Sequence, residues 1–372
     1  MKQSFSSDGK ISTSQFTCLV SIYMVGSAIL MMPSILASGA KQDAWIAALL
    51  GIGCTLLWLP CYVKLGTAFP HLTVIGIIEN LLGRWLGLIV SMLFIGFPLM
   101  IASLTLRNIG DFLATQVLDE TPMEAIHFLF LTIVIMGVYA GVETIARSAE
   151  VFFPWIVALF VIMLALLSPT FHMDNLRPVL GDGFAPIVRA AIPFLGFPLA
   201  EPFVLLMLFP SVNRGERAGK ALVAGIMFGG GCLFIMTLAA ILTLGADKTA
   251  TLQFSSYFLA QTISIGSFLE RIEIIMAIIW FITIYYRLTI LFYAITKGFS
   301  QMLKFDEHRF LAMPIGLIVF ALSILLIPNT TALLAFNTLA WPYYAMTMGI
   351  ALPLFLLVIG WRKIGHAGQR NH

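Results

Sequence analysis

Apolar runs of about 20 residues, parted by short polar stretches, recur along the whole 372-residue chain. A helix needs about 20 such residues to cross the hydrocarbon core of a bilayer, so each run predicts one membrane span. Ten spans follow, at 15–38, 43–64, 85–116, 123–141, 150–168, 186–209, 218–245, 270–296, 309–327 and 336–361. The third is long enough to tilt or to project beyond the bilayer. The expectation is an all-α membrane protein, a single polytopic domain over 1–372.

Two of these runs are broken at their middles. The first, Phe16 to Leu36, is interrupted at Gly26-Ser27-Ala28, with Pro33 behind. The sixth, Pro186 to Phe209, is interrupted at Pro193-Phe194-Leu195-Gly196-Phe197-Pro198. In lipid every backbone N–H and C=O needs a partner, so unwound chain at membrane depth survives only in protein or beside a cavity. Paired interruptions in two halves of a chain point to a transporter-type binding site. Here they fall in the first span of the first five (15–168) and the first span of the second five (186–361). The competing reading of Gly26-Ser27-Ala28 is a small-residue notch that lets two helices approach.

Charge sets the orientation. Of 21 Lys and Arg, fourteen fall on the side that carries both termini, five on the other, and Arg107 and Arg287 lie within spans. Basic residues gather in cytoplasmic loops, so both termini are expected inside. With 60% hydrophobic and 10% charged residues, the composition is not that of a soluble domain. Met1 to Ser14 lacks a signal-peptide cleavage pattern, so the first run is expected to be retained as a span. No basic run suggests nucleic acid.

Cys18, Cys54, Cys61 and Cys232 lie in apolar runs without a CxxC, and the histidines are scattered, so no metal site or cofactor is expected. No G-x-S-x-G, H-E-x-x-H or phosphate-cradling glycine loop occurs, so no catalytic residues and no enzyme are expected.

The chemistry left is recognition at the breaks. The N-terminal end of a half-helix favours an anion such as an amino-acid carboxylate, and its donors here would be Ser27, Ala28, Ile29 and Leu30. Carbonyls freed on the other side would meet an ammonium group or cation. The expected ligand-binding lining is Gly26, Ser27, Ala28, Ile29 and Leu30, with Phe194, Gly196, Phe197, Pro198 and Glu201 from span six. Thr105 of span three and Thr283 and Tyr286 of span eight complete it; the last two share a helix face.

Charged groups inside a membrane are costly and mark function by default. Glu201 reads either as a proton-binding site or as a fixed acceptor for backbone N–H groups freed by the break. Arg107 reads as one half of a salt bridge, and Arg287 as a cation near the inner half that snorkels to the interface. Arg271 and Glu273, in Glu270-Arg271-Ile272-Glu273, open span eight, where negative charge suits a helix N-terminus.

The loop before span six reads Asn175-Leu176-Arg177-Pro178-Val179-Leu180-Gly181-Asp182-Gly183. A span follows with Phe-Pro, then Glu, and ends Leu208-Phe209-Pro210. These strings, with Glu-Arg-x-Glu at 270–273 and Trp280, resemble the spore germination permease family, the B subunits of nutrient germinant receptors. The resemblance covers essentially the whole chain. It implies the LeuT-like fold of amino acid–polyamine–organocation transporters, five plus five helices in inverted repeat, with spans one and six unwound at mid-membrane. It also implies a receptor that binds a small nutrient, often an amino acid. Its partners would be an A subunit and a lipoprotein C subunit in the lipid of the spore inner membrane. One departure is Ala200, where the resemblance leads one to expect glycine before Glu201; Pro202 follows. The alternative function is a secondary transporter of amino acids or similar solutes, and after that an ion or water conduit.

Overall fold

The computed structural model describes residues 9–118, 120–213, 215–262, 272–326 and 330–368, and these form helices joined by short connections. Span one is two helices in series, α1 (Thr13–Val25) and α2 (Ala28–Ala40). Ser12 starts α1 with a reciprocal cap: its hydroxyl accepts from Gln15 N (3.1 Å) and its own N–H donates to Gln15 Oε1 (2.9 Å). Span two is α3 (Ala44–Ala68), followed by a short helix α4 (Val74–Leu82) and then span three, α5 (Arg84–Gln116). Spans four and five are α6 (Met123–Ala140) and α7 (Val142–Leu167).

Span six begins as α8 (Ala185–Phe194), makes a wide turn at Leu195–Leu199, and ends in a tighter 3₁₀ segment, Glu201–Ser211. Span seven is α9 (Gly215–Leu244). Two short helices, α10 (Ala246–Thr251) and α11 (Ser255–Gln261), precede span eight, α12 (Glu273–Leu303). Span nine is α13 (Ala312–Leu325). Span ten runs through α14 (Thr330–Ala335), α15 (Trp341–Met346) and α16 (Leu352–Gly368), with widened turns between them. Among the described residues, eight helical stretches are long and apolar enough to cross a membrane, and two shorter apolar helices accompany them.

The core sits where the interrupted spans are wrapped by their neighbours. Between lipid-exposed helices apolar burial supplies little drive, so close backbone approach and internal hydrogen bonds matter more. Gly225 and Gly229, four apart on α9, give α1 its seat. A β-carbon at these positions would stand 2.5 Å from Val20 Cβ and 2.4 Å from Met24 Cβ. At one end of the bundle the N-terminal strand segment meets the end of span six: Ile11 N donates to Ser211 O and Asn213 N to Ile11 O, both at 2.8 Å.

At the opposite end the Asn175–Gly183 loop closes over span two. Asn175 Nδ2 donates to Leu242 O (2.9 Å), Leu180 N donates to the Asp43 carboxylate (3.0 Å), and Lys41 pairs with Asp182 (2.9 Å). The string that carries the family resemblance is thus the strap that ties spans two, six and seven together.

Candidate binding site between the interrupted spans

Gly26 ends α1 by donating its N–H to Ile22 O (2.9 Å), and α2 starts afresh at Ala28. A helix end leaves its last carbonyls and the next helix's first N–H groups without intrahelical partners. The carbonyl of Tyr23 is one of them. It accepts from Arg287 Nη1 at 3.0 Å, and the same guanidinium donates through Nη2 to Glu201 Oε2. Arg287 is 0% and Glu201 1% exposed, so the arginine does not reach the interface; the freed carbonyl and the carboxylate hold it in the bundle.

A β-carbon at Gly26 would stand 2.5 Å from Arg287 Cδ, so glycine is what leaves room for the arginine stem. The guanidinium also lies over Tyr23 (4.6 Å to the ring centre) and Phe197 (5.5 Å), where ring faces attract a cation.

The second interruption has its own local cause. Pro198 disfavours helical backbone at the residue before it. Phe197 accordingly takes φ −125°, ψ 116°. Its ring and the Glu201 side chain then face the same small space. Trp341 Nε1 donates to Glu201 Oε1 (3.2 Å), and Trp341 stacks on Phe97 (5.8 Å between centroids, 19° between planes). Behind the break the Tyr62 hydroxyl reaches the carbonyls of Ala200 (3.2 Å) and Gly349, which share its one proton.

Between these parts lies a cavity of about 10 Å³, lined by Ser27, Ile101, Leu104, Thr105, Asn108, Phe197, Glu201, Arg287, Asn337 and Trp341. That is room for roughly one water. Three polar atoms of its lining residues, Ser27 Oγ, Asn108 Oδ1 and Arg287 Nε, are buried without a hydrogen-bond partner. Buried polar atoms are normally paired, so such a cluster marks a place where a ligand or water belongs.

A cluster of aromatic rings packs where α5, α11 and α12 meet. Phe112 packs on Trp280 (4.5 Å), Tyr257 (5.1 Å) and Phe254 (5.1 Å). Proline at 33 removes the N–H that Ile29 O would receive in a continuous helix. Ser256 Oγ donates to that carbonyl instead, at 2.6 Å, latching α11 onto α2. The 253–258 stretch is therefore packed into the bundle. On the same helix as Phe112, Arg107 Nε pairs with Asp111 Oδ1 (3.2 Å), one helical turn on and also buried. At the other end a polar basin of about 670 Å³ is lined by Lys10, His71, Glu79, Lys297, Gln301 and Lys304 among others.

Of the residues expected at the site, Ser27, Thr105, Phe197 and Glu201 meet at the cavity, where Arg287 joins them against expectation, with Gly26 against its stem. Ala28, Leu30 and Pro198 are buried nearby in the same two spans. Ile29 and Thr283 instead line a separate apolar cleft of about 30 Å³ with Ile22, Phe153 and Phe228. Phe194 faces Gly51 on span two, Gly196 packs on Pro342, and Tyr286 lies against Phe152 on span five. Glu273 is buried in the first turn of α12, and Arg271 falls outside the described residues.

Asn108, Asn337, Trp341 and Tyr62 are additions that sequence reasoning missed. Asn337 is a polar side chain inside an apolar span, the same signal that singled out Glu201. Among the described residues no group of three or more His, Cys, Asp or Glu could hold a metal ion.

The chain matches a family model described as spore germination protein over residues 10–331. It is 28% identical over 359 residues to spore germination protein KB of Bacillus subtilis (strain 168), covering 95% of each chain. It is 29% identical over 367 residues to spore germination protein YndE of the same organism, covering 97% of this chain and 99% of the relative.

Among solved structures, MhsT in complex with L-phenylalanine superposes with a TM-score of 0.66 at 16% identity, covering 95% of this chain and 99% of MhsT. A substrate-bound, outward-open Na+-coupled sialic acid symporter superposes with a TM-score of 0.70 at 13% identity, covering 96% and 82%. At such identities these two speak for the fold, which is the LeuT-like fold of membrane transporters. With the family model matching most of its length, the chain belongs to the spore germination protein family.

Proposed function

We propose that the chain is the integral membrane subunit of a nutrient germinant receptor. It binds a small nutrient, an amino acid by the chemistry of the site, in the cavity between the two interruptions. The observation that carries this reading is the cluster of unpartnered polar atoms, Ser27 Oγ and Asn108 Oδ1, beside the Arg287–Glu201 pair. An amino-acid carboxylate suits the N-terminal end of α2, where N–H groups and dipole both favour negative charge. Its ammonium group suits Asn108 Oδ1 across the cavity.

The partners are an A subunit and a lipoprotein C subunit, the setting is the spore inner membrane, and both termini lie on the core side. Residues 15–168 and 186–361 act as two repeats about the site. A second reading, a secondary transporter of amino acids or similar solutes, draws on the transporter fold and on the 670 Å³ basin at the far end.

Germination of spores lacking this chain, measured against a panel of nutrients, separates the two. Loss of the response to one nutrient class is expected. An unchanged response to every nutrient, with defective solute uptake in vegetative cells, would overturn the receptor reading. Orientation has its own check: a cysteine at position 216 (Glu216→Cys) is expected to resist a membrane-impermeant thiol reagent added outside, and labelling from outside alone would invert the topology.

A further inference from the structure

The break in span one raises the question of what neutralises it. Carbonyls at the end of α1 concentrate partial negative charge, and Glu201 adds a full one beside them. In a transporter-type fold this is a place for a cation, and one of the neighbours in fold is a Na+-coupled symporter. A metal ion does not fit here. The Tyr23 carbonyl and the Glu201 carboxylate both accept from one guanidinium, and Gly26 has been left without a side chain so that the arginine stem can pass. A second cation within a few ångströms of that guanidinium would be repelled in a poorly screened interior.

We propose that Arg287 is a built-in cation that takes the place of a coupling metal ion, so that ligand binding by this chain needs no Na+. Unlike a bound ion, the guanidinium keeps its charge at every accessible pH and cannot leave the site. It holds α1 to spans six and eight permanently, where a dissociable ion would make that link depend on its concentration. An ion gradient then has no handle on the site. A coupled cation changes ligand affinity by roughly 5–150-fold and is itself bound more tightly by the same factor; here that factor is expected to be one. The part of the inference that concerns ligand rests on the receptor reading above. The part that concerns the empty-handed cation does not.

The test is thermal unfolding of the purified full chain in nanodiscs, in sodium chloride and in choline chloride at equal ionic strength. The wild-type midpoint is expected to be the same in both salts. Arg287→Ala leaves a carbonyl and a carboxylate facing a cation-sized gap. Its midpoint is expected to fall, and to rise again with sodium or low-millimolar methylguanidinium but not with choline. Arg287→Lys is expected to keep the wild-type indifference to salt.

Stabilisation of the wild type by sodium over choline would overturn the proposal, as would an Arg287→Ala protein that folds and is equally indifferent to all three cations. If Arg287→Ala fails to fold, the wild type and Arg287→Lys decide: indifference to sodium in both supports the proposal, and a sodium response in either overturns it. Repeating the wild-type measurement with the common amino acids separates the two readings. Stabilisation by none of them, with salt indifference intact, counts against the receptor reading and leaves the internal cation standing.

Discussion

Replacing Glu201 with glutamine is expected to remove most of the folded protein, although the shape and one acceptor are kept. Glutamine leaves the Arg287 guanidinium, 0% exposed, without a counter-charge. Removing one partner of a buried ion pair costs about 3–5 kcal/mol, a large share of the roughly 5–15 kcal/mol that holds a typical protein folded.

Removing both charges is expected to be far milder, because a well-packed apolar pair of similar volume is often neutral or better. The double variant Glu201→Leu with Arg287→Met should therefore recover abundance and thermal stability while losing ligand response. Membrane abundance and unfolding midpoint of the four proteins in that cycle provide the check. A Glu201→Gln protein as abundant and stable as wild type would show that the charge of Glu201 is not what holds Arg287.

Gly26→Val is the second large effect. Its first added carbon would lie 2.5 Å from Arg287 Cδ and 3.0 Å from Tyr23 O, so the arginine must leave the carbonyl it satisfies. Overpacking of this kind costs about 1–3 kcal/mol, which the bundle should survive. The germination response should not survive, since the cavity is lined by the arginine being pushed. Gly231→Ala, where an added carbon meets nothing within 4 Å, is the matched control and is expected to be silent. Normal germination by the Gly26→Val strain, at normal protein level, would separate the break from the binding site.

The spans and both interruptions are legible in the sequence because their signals are local: length of apolar run, glycine, serine and proline at mid-span. What joins them is not local. Glu201 and Arg287 are 86 residues apart and Trp341 is 140 from Glu201, and no pattern in a single chain says that they meet. So the sequence leaves Glu201 as proton site or backbone acceptor and sends Arg287 to the interface, while the structure pairs them.

Other features carry local signals as well. Thr73 followed by Val74, Ile75, Ile77 and Ile78 has the cap and the apolar face of α4, masked by being shorter than a span. Gly225 and Gly229 stand at the spacing that seats a neighbouring helix. Tyr62, by contrast, carries no local mark; its importance lies in two distant carbonyls that need a donor.

If the proposed nutrient binds at the central cavity, the size of that space bears on how fast and how tightly it is held. A space of about 10 Å³ admits no amino acid, so the conformation described here is closed to such a ligand. On the receptor reading proposed above, binding would follow an opening, and the Ser256–Ile29 hydrogen bond and the ring contacts of Phe112 are contacts that such an opening would have to break. Apparent affinity is then the intrinsic affinity scaled down by the open fraction: with one molecule in about a hundred open, the concentration needed rises about a hundredfold. Under the receptor reading that scaling would act as a threshold. Traces of nutrient would then pass unanswered, and the delay before a response would follow the opening rather than diffusion.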